Sequence, residues 1–285
     1  MHNEIFYTNK NINEIKIALF SDLHYYPHYN QNILNKITKQ IIKNKPNYIA
    51  ITGDILDSSD ITEFDELKEF LIHLSNIAPI FIVLGNHDEK RGYSNNWHYE
   101  PNNAFIEFLK RQKNIYYLDD TKYIDKENNI CIYGYNLSYH YYEEVDEEYN
   151  VFVEETNQLK ESLNNNTYNI TLLHTPINIF RFLKENKNHN LNKSDLLLFG
   201  HMHNGGLPFI ITYPLNKIFK TSRSIMSPIN KLFPKYAQGR VYKEKVDAYI
   251  YEGISKLSRS TKLFHYLDFI FQKNVEFITI KKSSK

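Results

Sequence analysis

The segment Gly200-His201-Met202-His203-Asn204 ends an apolar run, Leu196 to Phe199, with two imidazoles one residue apart. On a continuing strand both rings would lie on one face, whereas on a sharp turn they reach two separate points. That arrangement suits two metal ions rather than one. Other apolar runs end in a similar way. Ile15–Phe20 leads into Ser21-Asp22-Leu23-His24, Tyr48–Thr52 into Gly53-Asp54-Ile55-Leu56-Asp57, Ile80–Leu84 into Gly85-Asn86-His87-Asp88, and Ile170–Leu173 into His174. Carboxylate and amide oxygens mixed with imidazole nitrogens suit Mn, Fe(II), Co or Zn, and the absence of thiolates argues against a structural zinc clip.

One carboxylate bridges two cations when each of its oxygens binds one. Asp54 is the best bridge because it follows Gly53 directly at a strand end. Two metals about 3.5 to 4 Å apart share a hydroxide, lower the pKa of water from about 15.7 towards ~7, and clamp the attacking and leaving oxygens of a phosphoryl displacement. Asn86 is the better-placed neutral oxygen ligand beside His87, which leaves His87 as an acid or transition-state donor. Asp57 or Asp88 is expected to hold an imidazole in the required tautomer.

Such residues need a scaffold that brings strand ends together. Asn32–Lys45 spaces Leu34, Ile37, Ile41 and Ile42 at helical intervals, and Pro46 closes it. With strands on either side, this predicts a parallel pair. The unit repeats with a helix over Glu63–Asn76, carrying Phe64, Leu67, Phe70, Leu71 and Leu74 on one face, and the strand from Ile80. A polar, aromatic loop over Glu89–Pro101 holds the single Trp97, and a helix over Asn103–Gln112 and a strand over Ile115–Leu118 come next. Lys126-Glu127-Asn128-Asn129 reads as a hairpin turn between Lys122–Asp125 and Ile130–Tyr133. Helices are then expected over Val151–Leu163 and Asn178–Glu185, and strands over Tyr168–Leu173, Asp195–Phe199, Ala248–Tyr251 and Val275–Ile280. No repeat or long linker interrupts the pattern, so residues 1–285 are read as one domain. In sheets of this kind the loops at the carboxyl ends of strands form the ligand crevice.

Bulk properties narrow the function. Lys+Arg number 34 against 33 Asp+Glu, a formal net charge of +1, so no global field gathers a nucleic-acid backbone. Hydrophobic residues make up 42% of 285, enough for a sizeable core. Cys131 is the single cysteine, is read as a core thiol, and forms no internal disulfide. No apolar stretch approaches the ~20 residues of a membrane span, and no leader pattern is read before Ile15, so a cytoplasmic address is expected.

Taken together, Asp22-x-His24, Gly53-Asp54-x-x-Asp57, Gly85-Asn86-His87-Asp88, the isolated His174 and Gly200-His201-x-His203 resemble, in order, the five signature blocks of the calcineurin-like metallophosphoesterases. The resemblance covers about Asp22 to His203. It implies an α/β fold, a four-layer α/β/β/α sandwich of two mixed sheets, and a dinuclear centre of Mn, Fe or Zn. It assigns Asp22, His24, Asp54 and His203 to the first metal, Asp54, Asn86, His174 and His201 to the second, and the catalytic role to His87. Within the superfamily the chain is similar to small bacterial phosphodiesterase-like enzymes, some of which act near membranes on lipid-linked substrates. Many of these carry Gln where this chain has Gly206, so the resemblance does not carry a substrate over.

The expected function is hydrolysis of a P–O bond in a small or lipid-linked phosphoester by a metal-bridging hydroxide, with His87 assisting the leaving group. A nuclease of the same fold is the nearer rival, disfavoured by the neutral charge. A metal-binding scaffold is the more distant one, disfavoured by the extra His87. The stretch Lys217–Arg240 places Lys217, Lys220, Arg223, Lys231, Lys235 and Arg240 among apolar residues. It reads first as a solvated excursion and second as a collar for peripheral membrane contact.

Overall fold

The computed structural model describes residues 3–27, 29–91, 98–136, 146–157, 162–202, 239–254 and 274–283. The chain opens with β1 (Asn3–Thr8) and β2 (Ile15–Phe20), then alternates through α1 (Gln31–Asn44), β3 (Tyr48–Thr52), α2 (Asp65–Ser75) and β4 (Ile80–Val83). A single-turn helix α3 (Asn86–Glu89) leads into the expected loop, which holds a small hairpin of β5 (Lys90–Arg91) and β6 (His98–Tyr99). Next come α4 (Asn103–Arg111), β7 (Ile115–Tyr117), and the hairpin of β8 (Thr121–Asp125) with β9 (Ile130–Gly134). The remainder holds α5 (Asp146–Asn157), β10 (Tyr168–Leu172), α6 (Ile179–Glu185), β11 (Leu196–Phe199), β12 (Gly239–Lys243), β13 (Val246–Ile250) and β14 (Glu276–Lys282).

These strands form two six-stranded mixed sheets, in the orders β1-β14-β2-β3-β4-β7 and β12-β13-β11-β10-β9-β8. Each has four parallel strands at its heart: β2, β3, β4 and β7 in the first, β13, β11, β10 and β9 in the second. Strict alternation along the second sheet sets its two faces. Ile130, Ile132, Tyr168, Ile170, Leu172, Leu196, Leu198, Tyr249 and Tyr251 belong to the core shared with the first sheet. Cys131, Tyr133, Leu197, Phe199, Val246, Ala248 and Ile250 instead pack with Phe152 of α5 and Ile179, Phe180, Phe182 and Leu183 of α6. The first sheet is covered by the apolar faces of α1, α2 and α4, through residues such as Ile37, Ile41, Leu67, Leu71, Phe105 and Leu109. The order of layers is therefore helix, sheet, sheet, helix.

Local chemistry explains the boundaries. The Asn30 side chain accepts from the Asn32 N–H at the start of α1, and Lys45 ends the helix in the left-handed region with its N–H on the Ile41 carbonyl, just ahead of Pro46. At the β8–β9 turn the Asp125 carboxylate accepts from the Asn128 N–H, and Asn129 takes a φ of 57°. Lys10 joins the two sheets, donating to Asp195 at 2.6 Å and to the Thr167 carbonyl at 2.7 Å.

Three expectations change. The polar opening stretch forms β1, and Gly239–Lys243 forms β12; neither stretch has an uninterrupted apolar run, and both are edge strands held by one neighbour. The helix expected over Val151–Leu163 instead occupies Asp146–Asn157, because the acidic segment enters its first turns. Ile42 is half exposed on α1, and Ile33 takes the buried place. Trp97 lies outside the described residues. Among the described residues no helix is long and apolar enough to cross a membrane.

The closing strand β14 lies between β1 and β2, parallel to the former and antiparallel to the latter, with Phe277 fully buried. Phe277→Ala is expected to lower the unfolding free energy by about 3 to 5 kcal/mol in urea titrations. A loss below about 1 kcal/mol would be a surface value and would remove β14 from the interior.

Candidate metal centre

The first sheet delivers three loops to one rim, since β2, β3 and β4 are parallel neighbours and end in Ser21-Asp22, Gly53-Asp54 and Gly85-Asn86-His87. The second sheet delivers two more, after β10 at His174 and after β11 at His201. Each loop turns abruptly. Asp22, His24, Asp54 and His201 have φ values of 53°, 49°, 50° and 68°, in the left-handed region where Asp and His are among the few tolerated side chains. Strain of this kind persists only where the surroundings over-determine it.

Here the surroundings are backbone bonds between loops. The Asp22 N–H donates to the Gly53 carbonyl, the His24 N–H to the Asp54 carbonyl, and the Asp57 N–H to the Tyr25 carbonyl, at 2.9 to 3.0 Å. The His201 N–H donates to the Asp22 carboxylate at 3.0 Å, and the Gly200 N–H to the His174 carbonyl at 2.8 Å. Space is as constrained as direction. A methyl built on Gly85 would fall against the Asp54 carboxylate and within 2.8 Å of the His174 ring, and one on Gly53 within 2.7 Å of the Gly85 nitrogen.

The donors meet as follows. Asp54 is almost fully buried, and its Oδ1 accepts the His87 N–H at 2.8 Å. Its Oδ2 lies 3.2 Å from His174 Nε2 and 3.7 Å from His24 Nε2. His174 Nδ1 sits 2.6 Å from the Thr52 carbonyl, which only accepts, so Nδ1 carries a proton and Nε2 is the nitrogen directed to the cluster. His201 Nδ1 lies 3.2 Å from His174 Nε2. On the other side, Asp57 Oδ1 is 3.3 Å from His24 Nδ1, and the Asp57 carbonyl receives His87 Nδ1 at 2.7 Å. The rings of His24 and His87 meet edge to face with centroids 4.6 Å apart.

Among the described residues, three overlapping sets therefore have donor atoms close enough to hold a cation: Asp22, His24 and Asp54; Asp54, His174 and His201; and His24, Asp57 and His87. Two further observations test whether the residues fit divalent ions. Asn86 Oδ1 is a buried acceptor with no hydrogen-bond donor among the described residues. The charges also adjust around the carboxylates. Burial pulls His24 and His174 downward, but the opposing carboxylates win: Asp57, Asp54 and Asp22 push His24 up to about 9, and Asp54 and Asp22, with the Thr52 carbonyl, push His174 up to about 9. Burial likewise opposes ionisation of Asp54, yet His174, His87 and His24 hold it well below the usual carboxylate range. Protons thus supply positive charge that cations would supply, and the donor set fits them.

Of the residues singled out by sequence, Asp22, His24, Asp54, Asp57, Asn86, His87, His174 and His201 are carried by these converging loops. His203 lies outside the described residues. Asp88 stands apart and corrects an expectation: its carboxylate accepts the N–H groups of Gly85, Ile55 and Leu56 at 2.8 to 3.2 Å, so it ties two loops together and leaves the imidazole to Asp57. Burial and the Asp54 charge raise Asp88 to about 7 despite those donors. Burial and the neighbouring His24 lower His87, against the pull of Asp54. Sequence reasoning missed the Thr52 carbonyl, which has no residue-type signature, and the packing role of the glycines. A signal for the latter existed, because Gly stands immediately before Asp54, Asn86 and His201.

The chain was compared with known proteins. It is 28% identical to an uncharacterised metallophosphoesterase of Aquifex aeolicus over 74% of this chain and 72% of that one. It is 25% identical to a putative metallophosphoesterase of Caenorhabditis elegans over 92% of this chain, and spans 48% of that relative's length. A shorter stretch, 26% of this chain and 22% of the relative, is 31% identical to the UDP-2,3-diacylglucosamine pyrophosphatase of Chlamydia muridarum. The sequence model of the calcineurin-like phosphoesterases matches residues 15–205, which takes in every loop of the centre described above. The chain belongs to the calcineurin-like phosphoesterase family.

Proposed function

We propose that this chain is a metal-dependent phosphodiesterase acting on a small or lipid-linked phosphoester, with residues 1–285 as one domain. The observation that carries the reading is the set of buried oxygen and nitrogen donors gathered around Asp54 from both sheets. Asp22, His24, Asp54 and His203 would hold one divalent cation, and Asp54, Asn86, His174 and His201 the other. Bound there, such a pair supplies Lewis acidity towards phosphoryl oxygens and lowers the pKa of water. The protein's own groups do the rest. Asp57 orients His24 through Nδ1, Thr52 orients His174, and the His87 backbone N–H holds Asp54 through Oδ1. The Asp57 carbonyl accepts a hydrogen bond from His87 Nδ1–H, so Nε2 is the nitrogen turned to the site, and it donates to the leaving oxygen only as the imidazolium, a form that the neighbouring Asp54 charge favours against burial.

The diester preference is supported by the aligned stretch shared with a pyrophosphatase, whose substrate phosphorus is likewise substituted on two sides. A small substrate is favoured over a nucleic acid by the formal charge of +1. Mn, Fe or Zn are the cations we favour, because mixed oxygen and imidazole donors without thiolate suit them. A single, buried Cys131 agrees with a reducing, cytoplasmic setting. The basic collar expected over Lys217–Arg240 lies largely outside the described residues. Its last member, Arg240, is exposed on β12, where it pairs with Asp247 at 2.9 Å and stacks over Phe6 at 4.3 Å.

The direct test is hydrolysis of a chromogenic phosphodiester and the matching monoester with Mn, Zn or Fe supplied and EDTA as control. Faster turnover of the diester and loss of activity in EDTA are expected; no metal-dependent hydrolysis of either would overturn the reading. His87→Ala should keep its metal content and lose about 10²- to 10⁴-fold in kcat, the range of a general acid. Asp54→Ala should lose metal and activity together, as measured by elemental analysis of the two purified variants. Gly85→Ala should also release metal while its far-ultraviolet circular dichroism stays native, because the added methyl meets the Asp54 carboxylate and the His174 ring. Full metal retention in this variant would show that the loop has room to move.

A further inference from the structure

Beneath the donors lies a hydroxyl that belongs to none of their sets. Ser21 is fully buried, and its single O–H is shared between the carbonyls of Thr52 at 3.0 Å and Gly53 at 3.1 Å. The Thr52 carbonyl is the same oxygen that receives His174 Nδ1 at 2.6 Å. Gly200, which precedes His201, is pressed against the same serine, since a methyl built there would overlap the Ser21 hydroxyl. One side chain thus touches the loops after β2, β3 and β11.

We infer that Ser21 is a positioning residue for His174, and through it for the Asp54–His174–His201 position; the inference rests on the proposed role of those residues as cation donors. A carbonyl oxygen has two lone pairs. With Ser21 on the Thr52 oxygen as well, the His174 N–H meets a carbonyl whose direction is fixed, and that sets Nε2 at 3.2 Å from both Asp54 Oδ2 and His201 Nδ1. Removing the hydroxyl strands neither carbonyl, because Thr52 still accepts from His174 and Gly53 still accepts from the Asp22 N–H. The fold therefore keeps its bonds while the imidazole loses its fixed support. Ser21 reaches the Asp22–His24–Asp54 position only through the Gly53 carbonyl, which keeps the Asp22 N–H when the hydroxyl is removed, so the effect falls on the His174 side.

The test is titration of the metal-free full chain with Mn²⁺, reading stoichiometry by equilibrium dialysis and ion–ion coupling by electron paramagnetic resonance, for wild type, Ser21→Ala, Ser21→Cys and, as reference, His174→Ala. Wild type should bind a spin-coupled pair. Ser21→Ala should keep one ion at wild-type affinity and bind the second roughly 10- to 100-fold more weakly, the usual effect of losing a group behind a metal-bound histidine. At intermediate Mn²⁺ its spectrum should match the uncoupled spectrum of His174→Ala. Ser21→Cys, a weaker donor, should fall between, and it carries the test should the alanine variant fail to fold. Equal weakening of both ions, or a coupled pair of unchanged affinity in Ser21→Ala, overturns the inference alone. A wild-type chain that binds no pair overturns the proposed metal centre along with it.

Discussion

Carrying an ionised carboxylate, Asp54, that is almost fully buried is the constraint on which this structure turns. Asp22, Asp54 and Asp57 are each at most 2% exposed and stand within reach of the same imidazoles. Isolated, such groups would protonate or unfold the site, since the interior gives back little of the hydration they lose. Asp54 stays ionised because His174, His87 and His24 surround it and the His87 N–H donates to its Oδ1, while Asp22 accepts the His201 N–H. A centre built this way has more negative charge than its own backbone donors neutralise. It is pre-formed for cations, with imidazolium protons keeping the place in the metal-free chain.

The fold meets that constraint by convergence. Parallel strands put all their carboxyl ends on one rim, and each sheet contributes adjacent strands, β2, β3 and β4 from one and β10 and β11 from the other. Strand ends alone would point side chains up and away. Left-handed turns at Asp22, Asp54 and His201 redirect the chain as it leaves the strand, and the glycines before Asp54, Asn86 and His201 let the loops pack without side chains between them. The conformational cost, of order 1–3 kcal/mol for each unusual turn, is offset by the hydrogen bonds that lock loop to loop.

Much of this was legible in the sequence. The interior strands announce themselves as short apolar runs, and each polar block sits directly after one, so the rim and its residue types could be read before any coordinates. What could not be read falls into two kinds. Edge strands such as β1 and β12 carry mixed sequences because only one neighbour and one face constrain them. Backbone groups such as the Thr52 carbonyl leave no trace in residue identity, although they decide which nitrogen His174 presents. The choice between Asp57 and Asp88 was of the second kind. Both follow a glycine-led turn, and only the three backbone donors that occupy Asp88 separate their roles.

The centre also has a mechanical consequence. Its donors come from both sheets, whose remaining contact is a largely apolar core that resists separation but has little directional preference. Direction comes from polar ties across the interface, among them Lys10 with Asp195 and Thr167 and Tyr48 with Asp125 away from the rim, and Asp22 with the His201 N–H and Thr52 with His174 at the rim. Cations shared between Asp54 of the first sheet and His174 and His201 of the second would add ties of far greater strength at that rim. Binding energy that exists only in the folded state adds to its stability, and here it would act on sheet register rather than on burial. Apolar packing sets how close the two sheets lie, and the charged rim sets how they are aligned. For that reason the donors can be held to hydrogen-bond distances even though they are carried on loops.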